Sequence, residues 1–269
     1  MKRHIFSYSI DKVAPYIDWG YFLHAWGIAG TKDSLQAKEL MDDARAMLNG
    51  FGDRYTTRAI FALCDAKSDG DNIIIEGTPF PFLRQQHCIP GIYNLCLSDF
   101  VSPREDKVGL FATSVDSILG KEYANDDYLN LIAQTLADRL AEATATLLHR
   151  QVRTESRLWG YVPEEKLTLE ELLAEKNQGI RPAVGYPSMP DQSIIFTIDK
   201  LLNLNEAGIA LTPNGAMTPH ASVCGIMISH PAAKYFAVGK IDKRQLKDYA
   251  DRRGIPTEEI GKFLSKNIG

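Results

Sequence analysis

A chain of 269 residues, 45% hydrophobic and 24% charged, is long enough to bury a full core, and residues 1–269 read as a single domain. Its net charge of −4 supplies no general attraction to nucleic acid or to an anionic membrane, so neither is expected as a partner. No apolar run reaches bilayer-spanning length, the Met1-Lys2-Arg3-His4 start is no signal peptide, and Cys64, Cys88, Cys96 and Cys224 form no CxxC pair; the reading is a cytoplasmic protein with reduced thiols and no metal site.

Taken in chain order, the first informative segment is Ala14-Pro15-Tyr16-Ile17-Asp18-Trp19, continued by Phe22, His24 and Trp26. Asp18 stands alone among aromatics: it is either the N-cap of the turn that follows or an acid facing a cationic ligand in an aromatic pocket. From Asp33 to Asn49, Leu40, Met41, Ala44, Met47 and Leu48 fall at helical spacing, with Asp33 or Ser34 as cap and Gly50 as stop, which predicts a surface helix. Arg58–Cys64 and Asn72–Glu76 read as strands around a Ser68-Asp69-Gly70-Asp71 turn. Asp65, Asp69, Gly70 and Glu76 imitate a calcium loop, yet Lys67 sits where a ligand oxygen is needed, so the hairpin is preferred.

Asn94–Phe100 is expected to enter a strand and Val108–Thr113 to form one, while His87 beside Cys88 lacks partners at metal-ligand spacing. The longest helical pattern runs from Asp126 to about Arg157, with Leu131, Ile132, Leu136, Leu140, Ala143, Leu147 and Leu148 in one stripe. Glu142 lies near the margin of that stripe, either solvated or reaching into a cleft. Thr168 and Glu171 form a capping box for a short helix that Asn177–Gly179 ends, and helical spacing returns between Ile195 and Leu204. Ala221–Ser229 and Lys234–Gly239 are expected as strands, the second carrying the aromatic pair Tyr235 and Phe236. Asp242 caps a helix that Gly254 stops, and a last helix begins near Thr257. Strands and helices mix without regular alternation, which predicts an α+β fold.

The stretch most suggestive of function is Gly179-Ile180-Arg181-Pro182-Ala183-Val184-Gly185-Tyr186-Pro187. Pro182 and Pro187 hold the residues before them, Arg181 and Tyr186, on constrained backbone, and Gly185 permits a turn or the close approach of a ligand. A guanidinium on a stiff loop suits bidentate capture of a carboxylate; the plainer alternative is a Pro/Gly surface loop with a solvated Arg. GxGxxG, P-loop, HExxH, GxSxG and kinase signatures are missing, and no spacing singles out a serine triad. What remains is Arg181, the isolated acids Asp18 and Glu142, and the aromatics, a set suited to a zwitterionic, partly cationic small molecule with a flat ring.

Nearly the whole chain resembles the reactivation domain of cobalamin-dependent methionine synthase. The runs that carry the resemblance are Tyr16–Trp19, Ser68–Ile73, Leu83–Gln86, Cys96–Phe100, Ala137–Ala143, Trp159–Tyr161, Gly179–Pro187, Ala221–Gly225, Ser229–Pro231 and Lys234–Val238. The resemblance implies a twisted, mostly antiparallel sheet with flanking helices, and a module that binds S-adenosylmethionine and supports reductive methylation of cobalamin. It implies ligand-binding roles for Asp18, Glu142, Arg181, Ala183, Gly185, Tyr186, Tyr235 and Phe236, with Tyr186 nearest the corrin and so the residue assigned to the reaction itself. The implied partners are a cobalamin-binding methionine synthase chain and a flavodoxin-type electron donor. Departures are local: Met217-Thr218-Pro219-His220 replaces the family's Trp-Pro-Gly, Gln192 stands for a usual His, Val184 stands for a usual Pro, and an insertion lies near Thr154–Leu158. The family module follows homocysteine, folate and cobalamin domains, whereas this chain begins at Met1 without a DxHxxG cobalamin motif, so the expectation is a subunit acting in trans on a separate polypeptide. Two other functions stay open: a module that docks on or shields a cobalamin protein without using a methyl donor, and a reactivation partner of another corrinoid methyltransferase.

Overall fold

A computed structural model describes residues 1–28, 34–87 and 89–269. Strand β1 (Lys2–Ser9) leads into the short helices α1 (Ile10–Val13) and α2 (Trp19–Ala25), then α3 (Leu35–Phe51). The hairpin strands β2 (Thr56–Asp69), β3 (Asn72–Ile75) and β4 (Thr78–Pro81) follow, then β5 (Asp106–Val115) and the long helix α4 (Asp127–Thr154). After α5 (Leu169–Leu173) and α6 (Ile195–Leu202) come the two-residue strands β6 (Ala210–Leu211) and β7 (Met217–Thr218), strand β8 (Ser222–Met227), and the helices α7 (Lys243–Arg253) and α8 (Thr257–Phe263).

The main sheet is six-stranded and antiparallel throughout, in the order β4-β3-β2-β5-β8, with β1 also paired to β2. Strand β2 is long enough to hold two partners on one edge, β1 along Thr56–Leu63 and β3 along Ala66–Asp69. Period-two alternation sends its side chains to opposite faces: Ala59 and Phe61 pack with α3 and α4, while Ile60, Ala62 and Cys64 pack with α6. The sheet therefore separates two apolar cores. A third, smaller core joins Val238, Ile241, Leu246, Tyr249 and Ile260 at the C-terminal helices. Asp191, only 2% exposed, ties α7 down by accepting hydrogen bonds from Tyr249 Oη at 2.8 Å and Arg253 Nε at 3.1 Å.

The α+β expectation and the antiparallel sheet hold, and several boundaries move. Strand β1, absent from the sequence expectations, is an edge strand in which Lys2, Arg3, Ile5 and Ser7 are exposed and only Tyr8 is buried. Asn94–Phe100 is not a strand entry: Asp99 accepts from the Cys96 amide at 2.8 Å and winds Leu97–Phe100 into a 3-10 turn. Helix α3 passes through Gly50 and stops at Gly52, whose φ of +42° a side chain would resist. Ser34 caps α3 through the Ala37 amide at 3.1 Å; Asp33 and Cys88 lie outside the described residues. Strand β2 continues to Asp69, so the turn is confined to Gly70 and Asp71. Helix α5 ends at Leu173, before Asn177–Gly179. No described helix is long and apolar enough to cross a membrane.

Candidate functional site

The Arg181 loop is fastened to the free edge of β8. Ile180 and Ile228 exchange backbone hydrogen bonds at 2.9 Å, the Ile226 amide donates to Pro182 O at 3.0 Å, and the Val184 amide donates to Cys224 O at 2.8 Å. Pro182 is tolerated in this edge ladder because only its carbonyl is needed. The approach is so close that a Cβ on Gly225 would stand 2.1 Å from Pro182 O and 2.8 Å from Ala183 Cα. Gly179 and Gly185 complete the loop with φ of +79° and +83°, and the Gly185 amide donates to Met189 O at 2.8 Å. The loop is thus nearly a further strand, which its prolines and glycines conceal in the sequence. Its place on β8 also explains why Lys234–Gly239 forms no strand: that edge is already taken, and Tyr235 and Phe236 sit instead on an extended segment held by Val238 N–H to Pro187 O at 2.9 Å.

Between this loop, α4, α2 and α5 opens a cleft of about 650 Å³. Helix α4 presents Arg139, Glu142 and Thr146 to it, at i, i+3 and i+7 on one face. Arg181 crosses the cleft, donating from one terminal nitrogen to Glu142 Oε2 at 3.2 Å and from the other to Thr146 Oγ1 at 2.9 Å. Glu142 Oε1 accepts from the Tyr186 hydroxyl, so one carboxylate holds both the loop's cation and its aromatic. The Arg181 amide donates to the Tyr235 hydroxyl oxygen at 3.0 Å. Asp18 caps α2 through the Gly20 and Tyr21 amides at 2.8 and 3.2 Å and lines the same cleft, so the two readings of this acid are compatible.

Electrostatically the cleft is mixed. Burial works against charge on Arg181, yet Tyr235 and Glu142 outweigh it and hold the guanidinium above its ordinary pKa. Burial raises the Tyr186 phenol, and the neighbouring Glu142 carboxylate raises it further. Glu175, at the lip, is raised first by burial of its carboxyl and then by Asp18 and Glu142, with Arg181 opposing. The residue is exposed, so water screens part of this shift.

Asp18, Glu142, Arg181, Ala183, Tyr186, Tyr235 and Phe236 therefore line one cleft. Gly185 is the exception among the candidates: it shapes the loop against Gln192, whose Oε1 would lie 2.6 Å from a Cβ at that position. Sequence reading missed Arg139, Thr146, Glu175, Tyr16 and Tyr21 as lining residues. The helical spacing from Glu142 would have found Arg139 and Thr146; nothing local marks Glu175, which reaches the cleft through a left-handed turn at φ +54°. Among the described residues no cluster of three or more His, Cys, Asp or Glu is placed to hold a metal ion.

Fold and cleft together define an α+β module that sets two guanidinium groups, Arg139 and Arg181, three carboxylates and several phenols around a ligand-sized space. Residues 9–254 match the family described as vitamin B12 dependent methionine synthase, activation domain, and the chain belongs to that family. It is similar to a solved protein described as the MetH reactivation domain bound to AdoHcy, with 37% sequence identity and a TM-score of 0.92 over 100% of this chain and 91% of that one. The curled antiparallel sheet with flanking helices is the fold of that reactivation domain.

Proposed function

We propose that this chain binds S-adenosylmethionine in the Arg181 cleft and supports the reductive methylation that returns an oxidised cobalamin to service in methionine synthase. The observation that carries the reading is the convergence of Arg181, Glu142 and Asp18 on one cleft of about 650 Å³, a volume suited to a nucleoside-sized ligand. The similar reactivation domain was solved with AdoHcy, which is S-adenosylmethionine without the transferable methyl group. A guanidinium has five N–H donors, and the bonds to Glu142 and Thr146 use two of them, so Arg181 retains donors for a ligand carboxylate. Asp18, Glu142 and Glu175 supply negative potential for the ligand's ammonium and sulfonium, and Tyr235 and Phe236 offer faces for its base.

Bound to its own carrier domain, cobalamin would supply reduced cobalt as the methyl acceptor. The residues of this chain contribute position: they hold the sulfonium at the cleft mouth, where Tyr186, 48% exposed, is the surface group beside the transfer. Sulfonium is already a good leaving group, so no acid or base has to move a proton in the transfer. The partner is a cobalamin-binding part of methionine synthase; a separate polypeptide carrying it, and a flavodoxin-type reductant, belong to the same proposal. Calorimetry on the intact chain is expected to show S-adenosylmethionine binding that weakens by on the order of 2 kcal/mol, roughly thirtyfold, in Arg181→Ala. Absence of binding at millimolar ligand would reject the reading.

A further inference from the structure

Helix α4 meets the Arg181 loop at more than its guanidinium. Glu142 and Thr146 hold that group directly, and the same helical row continues to His149, a buried residue to which the proposed function gives no part. His149 Nε2 lies 3.0 Å from the Tyr161 hydroxyl, and that hydroxyl donates to Gln178 O at 3.4 Å, immediately before the loop begins. Gly179 packs against the same hydroxyl: a Cβ there would stand 2.7 Å from Tyr161 Oη and 2.6 Å from Ile228 O. The entry to the loop is therefore set between one phenol and strand β8, with Gln178 Nε2 donating to Ser229 O at 2.9 Å as a further tie.

Tyr161 is itself fastened to α4. The Gly160 amide donates to Val152 O and the Val162 amide to Arg153 O, both at 2.9 Å, and Trp159 meets the Tyr161 ring edge-on at 4.9 Å. Burial pushes the phenol pKa up and the imidazole pKa down, so the pair has one O–H and one ring N–H to place. With the ring proton on Nδ1, the Tyr161 proton would be spent on Nε2, and Gln178 O would be left with the Asn177 side chain alone, at 3.4 Å. With it on Nε2, the imidazole donates to Tyr161 Oη and the hydroxyl proton goes to Gln178 O, so every contact is met. We infer that His149, as its Nε2–H tautomer, is a positioning residue for S-adenosylmethionine: through Tyr161 it sets where Gln178 and Gly179 enter the loop, and so how Arg181 meets the ligand carboxylate. Arg181 follows closely in the chain, on backbone that Pro182 restrains, so a shift at Gly179 is carried to it. This rests on the function proposed above and adds to it a residue that does not line the cleft.

NMR correlation spectra of the ring nitrogens, recorded on the intact chain, show which nitrogen of His149 bears the proton. Nε2–H is expected, and Nδ1–H overturns the inference. Calorimetry with S-adenosylhomocysteine reads the consequence. Affinity should fall about fivefold in Tyr161→Phe and in His149→Leu, the range for losing a neutral hydrogen bond, and should return to within about twofold of the parent in His149→Gln, whose terminal NH2 stands where Nε2–H stood. Tyr161→Phe keeps the ring and decides the matter should His149→Leu fail to fold. The loss should be confined to ligands with a carboxylate, so methylthioadenosine, which lacks the amino-acid portion, should bind Tyr161→Phe as it binds the parent. A merely structural role would lower the melting temperature and leave affinity measured well below it unchanged. That result, an equal loss for both ligands, or a His149→Gln as weak as His149→Leu sinks the relay and leaves the proposed function standing. No binding of S-adenosylhomocysteine by the parent would sink the two together.

Discussion

Glu142 is the residue on which the site turns, because it accepts from Arg181 and Tyr186 together. A ligand that brings its own carboxylate and cation must fit around this existing bond, so Arg181 starts in place and loses little side-chain freedom on binding. Glu175 has no such side-chain hydrogen bond among the described residues, and its raised pKa makes it the pH-sensitive member of the set. Only its ionised form attracts a sulfonium, so affinity for S-adenosylmethionine should fall as pH is lowered toward the ordinary Glu value of 4.5, and Glu175→Gln should flatten that dependence while weakening binding severalfold at neutral pH. For stability the sign is opposite. A carboxyl raised in the folded state favours folding at low pH, and that contribution disappears as pH climbs through the raised pKa. The Gln variant should thus melt no lower than the parent at neutral pH. Calorimetric titration across a pH series, with paired melting curves, checks both statements; an unchanged slope in Glu175→Gln would assign the titration elsewhere.

At the scale of elements, the decisive contact is the loop against β8. The two backbones come so close at Gly225 that the smallest side chain meets Pro182 O and Ala183 Cα directly. Gly225→Ala must therefore push the loop off its strand, breaking the ladder from Ile180 to Val184. Over-packing of this kind costs about 3 kcal/mol at its upper range, and the change should also cost ligand affinity because Arg181 rides on the displaced segment. Thermal melts and calorimetry on the same variant measure the two losses. A melting point lowered with ligand affinity intact would show that Arg181 does not depend on this registration. Helix α4 works differently: its Asp126 cap and apolar stripe fix its rotation against the sheet, and that rotation delivers Arg139, Glu142 and Thr146 to the cleft.

In the whole molecule, the sheet's two faces and the polar network behind the cleft set how stability responds to pH. His149, 3% exposed on α4, contacts the Tyr161 hydroxyl at 3.0 Å, and Arg153, beside it on the helix and 1% exposed, is paired with Glu165 at 2.7 Å. Burial first, then the charges of Arg153 and Arg181, pushes the His149 pKa well below 6.5. Its folded form stays neutral where the unfolded chain takes up a proton, so its stabilising contribution is complete above pH 6.5 and is lost as pH falls below it. Denaturant titrations are expected to show stability dropping by up to about 1.4 kcal/mol per pH unit in that window on account of this residue, with a smaller slope in His149→Gln. Equal slopes in the two proteins would mean that His149 does not titrate as its burial requires.

The sequence by itself determined the elements whose signals are local: the 3.6-residue stripe of α4, the Thr168–Glu171 capping box, the Asp242 cap and Gly254 stop of α7, and the short apolar runs of β2, β5 and β8. It also marked Arg181 and its stiff loop, because prolines and glycines announce constrained backbone. Only the tertiary structure decided that this loop is an edge partner of β8, that Lys234–Gly239 is therefore excluded from the sheet, and that Asp18, Glu142 and Glu175 share one cleft with Arg181. The physical reason is range. Capping and periodicity act across a few residues and leave their mark in the chain, whereas an edge can be occupied by one segment only, and which segment wins depends on how closely two backbones pack at places like Gly225.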